Sequence, residues 1–158
     1  FLSLREAIIQ ANNANIDSTI SLGEGRYTLA IADDLDIELQ GKTLTIQGQG
    51  KNKTILDANS LDRFLEIHSG STVILSGLTI TKGLATYGGA LANDGTLTII
   101  DSDFINNQSV GAKGANGANG ANGINGYVYM SGGITYYQAA TAGGNGGNGG
   151  TGGDGKGG

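Results

Sequence analysis

Two stretches decide the fold: residues 72–83, TVILSGLTITKG, and residues 96–107, TLTIIDSDFINN. Their apolar positions coincide one by one at a constant spacing, so that Val73, Leu75 and Ile80 correspond to Leu97, Ile99 and Phe104. Polar and apolar residues alternate within each stretch, which is typical of short strands. A repeat of this length, built from strands and turns, indicates an all-β solenoid over residues 18–110, with coils stacked about 4.8 Å apart.

The N-terminal segment FLSLREAIIQANNA carries the signals of a helix. Ser3 can cap its start, and Glu6, three residues later, completes a capping box. The apolar positions that follow form one stripe at helical spacing: Leu4, Ala7, Ile8 and Ala11. We expect an amphipathic helix over about residues 3–13, lying across the end of the coil stack, where unpaired strand edges would otherwise aggregate.

Composition divides the chain of 158 residues into two parts. Residues 1–110 hold 11 of the 30 glycines, and residues 111–158 hold the other 19 together with only three charged residues. The net charge of −5 argues against a nucleic-acid partner, because phosphate contacts need a basic surface. No apolar run approaches the roughly 20 residues of a membrane span. The first residue is Phe rather than Met, as expected of a processed product or an excerpt.

Glycine recurs at every third position in two segments: GAKGANGANGANGING over 111–126 and GGNGGNGGTGGDGKGG over 143–158. A left-handed helix with three residues per turn brings every third residue to one side and makes no internal hydrogen bonds. The lack of proline argues against collagen. We therefore expect polyglycine-II-like packing, in which the backbone finds partners elsewhere in the chain or in other copies.

Two aromatic-rich runs between the glycine segments flank Ser131-Gly132-Gly133, which predicts a hairpin over 127–138. The predicted domains are therefore a capped β-helix over 1–110 and a glycine-triplet segment over 111–158. Contacts with other copies of the chain are expected at Gly114, Gly117, Gly120, Gly123, Asn116, Asn119, Asn122, Tyr127, Tyr129, Tyr136 and Tyr137.

Alternating carboxylates in residues 34–38 are the first candidates for chemistry. On a strand they share one face at roughly 7 Å spacing, where they could hold calcium or form an acid pair. A second alternating pair lies at 101–103, and another aspartate lies in a partial match to a calcium-binding glycine turn at 149–157. The weak calcium candidates are Asp34, Asp36, Glu38, Asp101, Asp103 and Asp154. A solvated strand face explains the first set better, so we expect no cofactor, with calcium as the alternative.

The few basic residues argue against a catalytic centre. His68 is the only histidine, and the arginines are Arg5, Arg26 and Arg63. In the order of the repeat these groups do not converge with the carboxylates, so we expect no catalytic residues and no enzyme activity.

An ordered series of motifs over about residues 1–110 carries a resemblance: SLREAIIQAN, GRYTL, KTLTIQGQGKNKTILDA, VILSGLTITKG and GGALANDGTLTIIDSDFINN. The series resembles right-handed parallel β-helix surface proteins that begin with Cys-Ser-Leu-Arg-Glu-Ala-Ile, although Leu2 replaces the cysteine. It is also similar to polymorphic outer-membrane-protein repeats, whose Gly-Gly-Ala-Ile and Phe-x-x-Asn signatures correspond to 88–91 and 104–107. The resemblance implies a right-handed parallel β-helix in a large secreted or surface-anchored protein with an adhesive or structural role. The glycine segments resemble polyglycine-II bundles.

Three functions are compatible with these patterns. The first is an extracellular structural or adhesive surface protein whose copies associate into a fibre or matrix. The second is a module that binds surface glycans or ice through a flat solenoid face or the Asn-bearing glycine segments. A threonine ladder would favour ice, and the sequence offers an irregular one: Thr43, Thr45, Thr79, Thr81, Thr96 and Thr98. The third is a polysaccharide-degrading enzyme, which needs a groove with clustered carboxylates and a basic residue.

Overall fold

The computed structural model of the chain describes residues 2–111 and the backbone of 127–131 and 134–138. These residues fall into two units, a solenoid that ends at Gly111 and a hairpin within 112–153. Several predicted residues lie outside the described part: Gly114, Gly117, Gly120, Gly123, Asn116, Asn119, Asn122 and Asp154.

Helix α1 (Leu4–Ala14) forms at the predicted place. The Ser3 hydroxyl accepts a hydrogen bond from the Glu6 N–H at 3.2 Å, and the Glu6 carboxylate accepts one from the Ser3 N–H at 2.8 Å. The predicted capping box is therefore present. The helix ends at Asn15, whose left-handed backbone (φ 46°) lets its N–H bond back to Ala11. The buried stripe consists of Leu4, Ile8 and Ala11.

The strands of the solenoid pair in parallel, as predicted, and each sheet takes one strand from successive coils. Sheet A comprises β1 (Ser18–Ser21), β4 (Thr43–Gln47), β7 (Thr72–Ser76) and β11 (Thr96–Ile100). Sheet B comprises β2 (Gly25–Thr28), β5 (Thr54–Asp57), β8 (Thr79–Thr81) and β12 (Asp103–Ile105). Sheet C comprises β3 (Leu35–Ile37), β6 (Leu65–Ile67) and β10 (Leu91–Asn93), and a smaller sheet pairs β9 (Leu84–Ala85) with β13 (Gln108–Ser109). The first coil begins at β1, the second at β4, the third at β7 and the fourth at β11.

The predicted register between the last two coils is confirmed. Val73 pairs with Leu97, Leu75 with Ile99 and Ile80 with Phe104. Earlier coils are longer, because their turns carry extra residues: Thr43 lies opposite Thr72, and Leu35 lies opposite Leu65. The spacing read from the two quoted stretches therefore describes the end of the stack but not its beginning.

Apolar side chains stack inside the coils, because alternate strand residues point inward. In sheet A the inward positions Leu44, Ile46, Val73 and Leu75 are fully buried. The core continues through sheets B and C with Ile37, Leu56, Leu65, Ile67 and Ile80, which are also fully buried. These columns of aliphatic side chains hold the three sheets together.

Helix α1 covers the sheet C side of the first coil, where it supplies hydrogen bonds that a preceding strand would make. The Asn12 side chain donates to the Asp36 carbonyl oxygen at 2.8 Å and accepts from the Glu38 N–H at 3.0 Å. The segment after the helix does the same, because the side chains of Asn15 and Asp17 accept from the N–H groups of Gln40 and Thr43. These backbone groups between Asp36 and Thr43 are thus partnered within the chain, whereas among the described residues no strand pairs with the outer edges of β1 and β2.

The hairpin unit consists of β14 (Tyr127–Ser131) and β15 (Ile134–Gln138), which pair antiparallel with Tyr129 opposite Tyr136. Two residues separate the strands, the usual length of a tight hairpin turn. These strands coincide with the two aromatic runs seen in the sequence. Over the part of the chain that the structure describes, no helix has the length and apolarity to cross a membrane.

Candidate functional site

Carboxylates gather on the outer face of sheet C. Asp36 of β3 stands opposite Glu66 of β6, and both point outward because their strand neighbours fill the core. Asp34 precedes β3 and joins them, so that carboxylate oxygens of the three residues lie within 4.8 Å of one another. We call Asp34, Asp36 and Glu66 the acidic cluster. Its first two members were candidates from the sequence, whereas Glu66 was not.

Arg63 lies among the carboxylates of the acidic cluster. Its Nε is 3.0 Å from Asp34 Oδ2, and its Nη1 is 3.1 Å from Glu66 Oε2. The guanidinium stacks on the Tyr87 ring at 4.8 Å from its centroid, and the side chain is only 12% exposed. Nε and Nη1 make no hydrogen bond with good geometry among the described residues, so these contacts are ion pairs rather than aligned hydrogen bonds.

His68 lies at the rim of the same cluster. Its Nε2 is 3.0 Å from Asp36 Oδ1 and 3.8 Å from Glu38 Oε1. The expectation that arginine, histidine and carboxylates do not converge was therefore wrong. The cause is the longer second coil, since its register brings 63–68 beside 34–38, which the shorter repeat of the last two coils does not.

The environment of Asp34 changes its acidity. Burial raises the pKa of Asp34 to about 6; the Arg63 guanidinium acts in the opposite direction, while the carboxylates of Asp36, Asp62 and Glu66 add to the rise. At His68, the hydrogen bond to Asp36 raises the imidazole pKa. A carboxyl group of raised pKa thus lies near an imidazole of raised pKa, an arrangement found at acid–base sites and in structural ion networks alike.

The acidic cluster does not fit a calcium site. Calcium needs six to eight oxygen ligands around one point, whereas the guanidinium of Arg63 already contacts two of the three carboxylates. A divalent cation placed there would face a fixed positive charge at close range. The geometry therefore favours an ion network that ties coil two to coil one.

The other sequence candidates lie apart from this cluster. Asp103 is 3.5 Å from Lys51 Nζ in an exposed ion pair, and Asp101 sits on a left-handed turn (φ 42°) in solvent. Glu38 lies 3.8 Å from His68 but is not part of the acidic cluster. Two of the five candidates in the described part, Asp34 and Asp36, are thus brought together.

A buried aspartate that sequence reasoning missed ties three coils together. The Asp57 side chain is 4% exposed and pairs with Arg26 of the first coil and Lys82 of the third, the latter at 3.1 Å. Burial alone would raise the pKa of Asp57, but the Asn59 N–H, Lys82 and Arg26 hold it below its usual value. Nothing in the local sequence DAN marks this residue, because its partners come from other coils.

The two ends of the solenoid differ. Among residues 2–111, nothing pairs with the outer edges of β11, β12 or β13. Ile99 is 48% exposed there, although it occupies the same inward position as Leu75, which is fully buried one coil below. Ile105 and Val110 are exposed to a similar degree. We call the outer surface of β11, β12 and β13 the open end.

No family model matches the chain, and neither the curated proteins nor the solved structures with which it was compared include a match. The resemblance to β-helix surface proteins therefore stays a prediction from the motifs of the sequence.

We predict that the protein is more stable in mildly acidic solution than at neutral pH. The folded state binds the Asp34 proton more tightly than the unfolded chain, so stability falls as the pH rises through about 6. His68 acts in the same direction: its contribution is complete below its usual pKa and is lost as the pH rises through the raised value. Asp57 acts oppositely, since its contribution is lost as the pH falls below its usual pKa.

The thermal unfolding midpoint should accordingly be higher at about pH 5 than at about pH 7.5, and should fall again in strong acid. Asp34→Asn should flatten the change between the two pH values. A midpoint that rises from pH 5 to 7.5 would contradict the assignment, as would an unaltered profile in the variant.

Proposed function

We propose that the chain is a structural or adhesive surface protein that associates with copies of itself through the open end of its solenoid. The observation that carries the proposal is the difference between the two ends. Helix α1 packs its apolar stripe on the core of the first coil, and side chains of the helix and its following segment bond backbone groups between Asp36 and Thr43. The last coil presents strand edges and half-exposed inward residues. Exposed strand edges are templates for pairing with another chain.

The capped end limits how copies can meet. A strand edge can be extended only by another edge with free N–H and C=O groups. Beside β3 this place is taken, because Asn12 bonds the Asp36 carbonyl and the Glu38 N–H and the apolar stripe of helix α1 packs on the core. Head-to-tail continuation of sheet C is therefore disfavoured, because helix α1 lies where the next strand would pair. Two open ends can face each other instead, which gives a closed pair with two-fold symmetry. Growth into a fibre or matrix then needs a second contact, the role predicted for the glycine-triplet segments.

The acidic cluster supports a structural role better than a catalytic one. A catalytic carboxylate pair needs a polar group free to act on substrate, whereas Arg63 is largely enclosed by Asp34, Glu66 and Tyr87. A location outside the cell, and surface glycans as additional partners, follow from the resemblance of the motifs and belong to the same proposal.

A charge placed at the open end tests the proposal. Ile99→Lys should weaken association of the full chain and abolish it in a chain that ends at Gly111, because the ammonium group would be buried between two solenoids. The matched control is Ile16→Lys, since Ile16 is 59% exposed near the capped end. Light scattering over a range of concentrations reports the association state, and circular dichroism reports folding.

A monomeric parent chain at every concentration would refute self-association, and equal oligomerisation of Ile99→Lys would refute the open end as the contact. A chain that ends at Gly111 distinguishes the contact at the open end from that of the glycine-triplet segments. We expect this truncated chain to form pairs but no larger assemblies.

A further inference from the structure

The outward face of sheet A differs from the rest of the solenoid surface. None of the residues in β1, β4, β7 and β11 is charged, and none is aromatic. The alternate residues that face outward are mostly threonine and serine. They comprise Thr19, Ser21, Thr43, Thr45, Gln47, Thr72, Ile74, Ser76, Thr96, Thr98 and Ile100.

Strand register arranges these side chains in straight columns. One column contains Thr43, Thr72 and Thr96, which pair in adjacent strands. The next column contains Thr19, Thr45, Ile74 and Thr98. Neighbours within a column are about 4.8 Å apart, and the two columns are separated by two residues along each strand, roughly 7 Å. The face therefore repeats regularly in two directions.

The threonine ladder predicted from the sequence differs from these columns. It included Thr79 and Thr81, but these belong to β8 of sheet B and are only 4% and 6% exposed. It also omitted Thr19 and Thr72, which the strand register places beside Thr45 and between Thr43 and Thr96. The structure replaces that series with two aligned columns, the second of which is interrupted by Ile74.

The hydroxyl groups of this array are available to solvent. Within residues 2–111, none of the six threonine hydroxyls in the two columns makes a side-chain hydrogen bond to the protein: Thr19, Thr43, Thr45, Thr72, Thr96 and Thr98. Each hydroxyl can donate one hydrogen bond and accept two, and each threonine also presents a methyl group. Waters bonded to these hydroxyls would follow the spacing of the columns.

We propose that the outward face of sheet A binds ice. A ligand that matches this face has to be neutral, flat and periodic in two directions, and it has to bond through hydroxyl groups. The surface of an ice crystal has these properties, because it is a repeating array of water molecules with free donors and acceptors. The absence of charge in the four strands supports the match, since a charged side chain orders water around itself instead of along the column.

Other ligands fit the face less well. Protein interfaces are rich in aromatic residues, Met and Arg at their core and poor in Ser, which is the opposite of this composition. A glycan site would need aromatic platforms for stacking, and sheet A contains none. Phosphate or metal ligands would need charged partners, which are likewise missing from these four strands.

The test measures ice growth in the presence of the full chain. In a nanolitre osmometer the parent protein should shape ice crystals and hold their growth below the melting point, and it should inhibit recrystallisation. Thr45→Lys and Thr98→Lys should abolish both effects, because an ammonium group displaces the ordered water of a column. Thr45→Val keeps the β-branched shape and the methyl groups, and should retain part of the activity. Thr98 lies on the last strand, so its variant is informative even if Thr45→Lys fails to fold.

The matched control is Thr86→Lys, because Thr86 is exposed and lies outside sheet A. It should leave ice shaping unchanged. A parent chain without any effect on ice would overturn the proposal, and so would an equal loss of activity in the control. If the sheet A variants changed the association state in light scattering but left ice growth unaltered, the face would be a protein interface and the proposal would fail.

Discussion

Replacing Arg63 with alanine is expected to lower the free energy of unfolding by roughly 3 kcal/mol, within the range measured when one partner of a buried ion pair is removed. Arg63 is 12% exposed and contacts the carboxylates of Asp34 and Glu66 at 3.0 and 3.1 Å. Without the guanidinium, these two carboxylates remain half-enclosed beside Asp36 with no cation between them. The contact of Arg63 with the Tyr87 ring is lost as well.

The pH dependence of the lost stability distinguishes two causes: the carboxylates left without a cation, and the lost packing on Tyr87. Asp34 already has a pKa of about 6 in the presence of Arg63, and removal of the cation raises it further. The deficit of Arg63→Ala should therefore be largest above pH 7 and should shrink at about pH 5, where Asp34 becomes neutral. A deficit that is the same at both values would show that packing on Tyr87 is responsible, not the ion network.

Lys53→Ala serves as the control for Arg63→Ala. Lys53 pairs with Glu24 at 2.8 Å, but both side chains are about 60% exposed. Exposed pairs of this kind contribute less than about 1 kcal/mol. Urea denaturation at both pH values should separate the two variants. Equal losses in the two would contradict the assignment of Arg63 to an enclosed site.

The sequence predicts the helix and the last two coils well, because both depend on local signals. The capping box of Ser3 and Glu6 needs only four residues. The alternating positions of 72–83 and 96–107 pair with each other in the register that the sequence predicts. Handedness was implied by resemblance rather than by any residue pattern. The all-β solenoid with one N-terminal helix is what the structure has.

The acidic cluster could be predicted only in part. The alternation of Asp34 and Asp36 shows that they share a face, but their partners depend on how many residues each turn contains. Extra turn residues in the second coil place Glu66 opposite Asp36. Arg63 and His68 follow from that register. Turn insertions leave no periodic signal, so the pattern that reveals the fold does not reveal the site.

The two short signatures noted in the sequence have physical explanations in contacts between coils. The Asn107 side chain accepts from the Gly83 N–H at 2.8 Å and donates to the Ile80 carbonyl at 3.0 Å. Phe104 lies over Ile80 in the same pair of coils. The Phe-x-x-Asn pattern thus places one apolar and one amide contact on the coil below. The Gly-Gly-Ala-Leu pattern has a different explanation: neighbouring backbone lies too close to its glycines to leave room for a side chain.

Gly89→Ala is expected to lower the free energy of unfolding by about 3 kcal/mol, as for overpacking against a rigid backbone. A Cβ added at Gly89 would lie 2.5 Å from the carbonyl carbon of Gln108 and 2.9 Å from its nitrogen. Gln108 cannot move away easily, because its N–H bonds to the Gly83 carbonyl at 2.8 Å. A Cβ at Gly83 would in turn lie 2.8 Å from the Gly89 carbonyl carbon. Three backbone segments therefore meet without room for a side chain.

Gly23→Ala is the matched control, because a Cβ at Gly23 has only the Tyr27 hydroxyl nearby, at 3.9 Å. Its backbone needs no left-handed conformation, so alanine should be neutral or slightly stabilising. Urea denaturation followed by circular dichroism compares the two. Because the clash falls between the third and fourth coils, Gly89→Ala should also detach β13 from β9, seen as faster amide hydrogen exchange at Gln108 and Ser109. Unchanged exchange there, or equal stability of the two variants, would mean that the coils can separate at Gly89 without cost, and close backbone contact would then not explain the glycine signature.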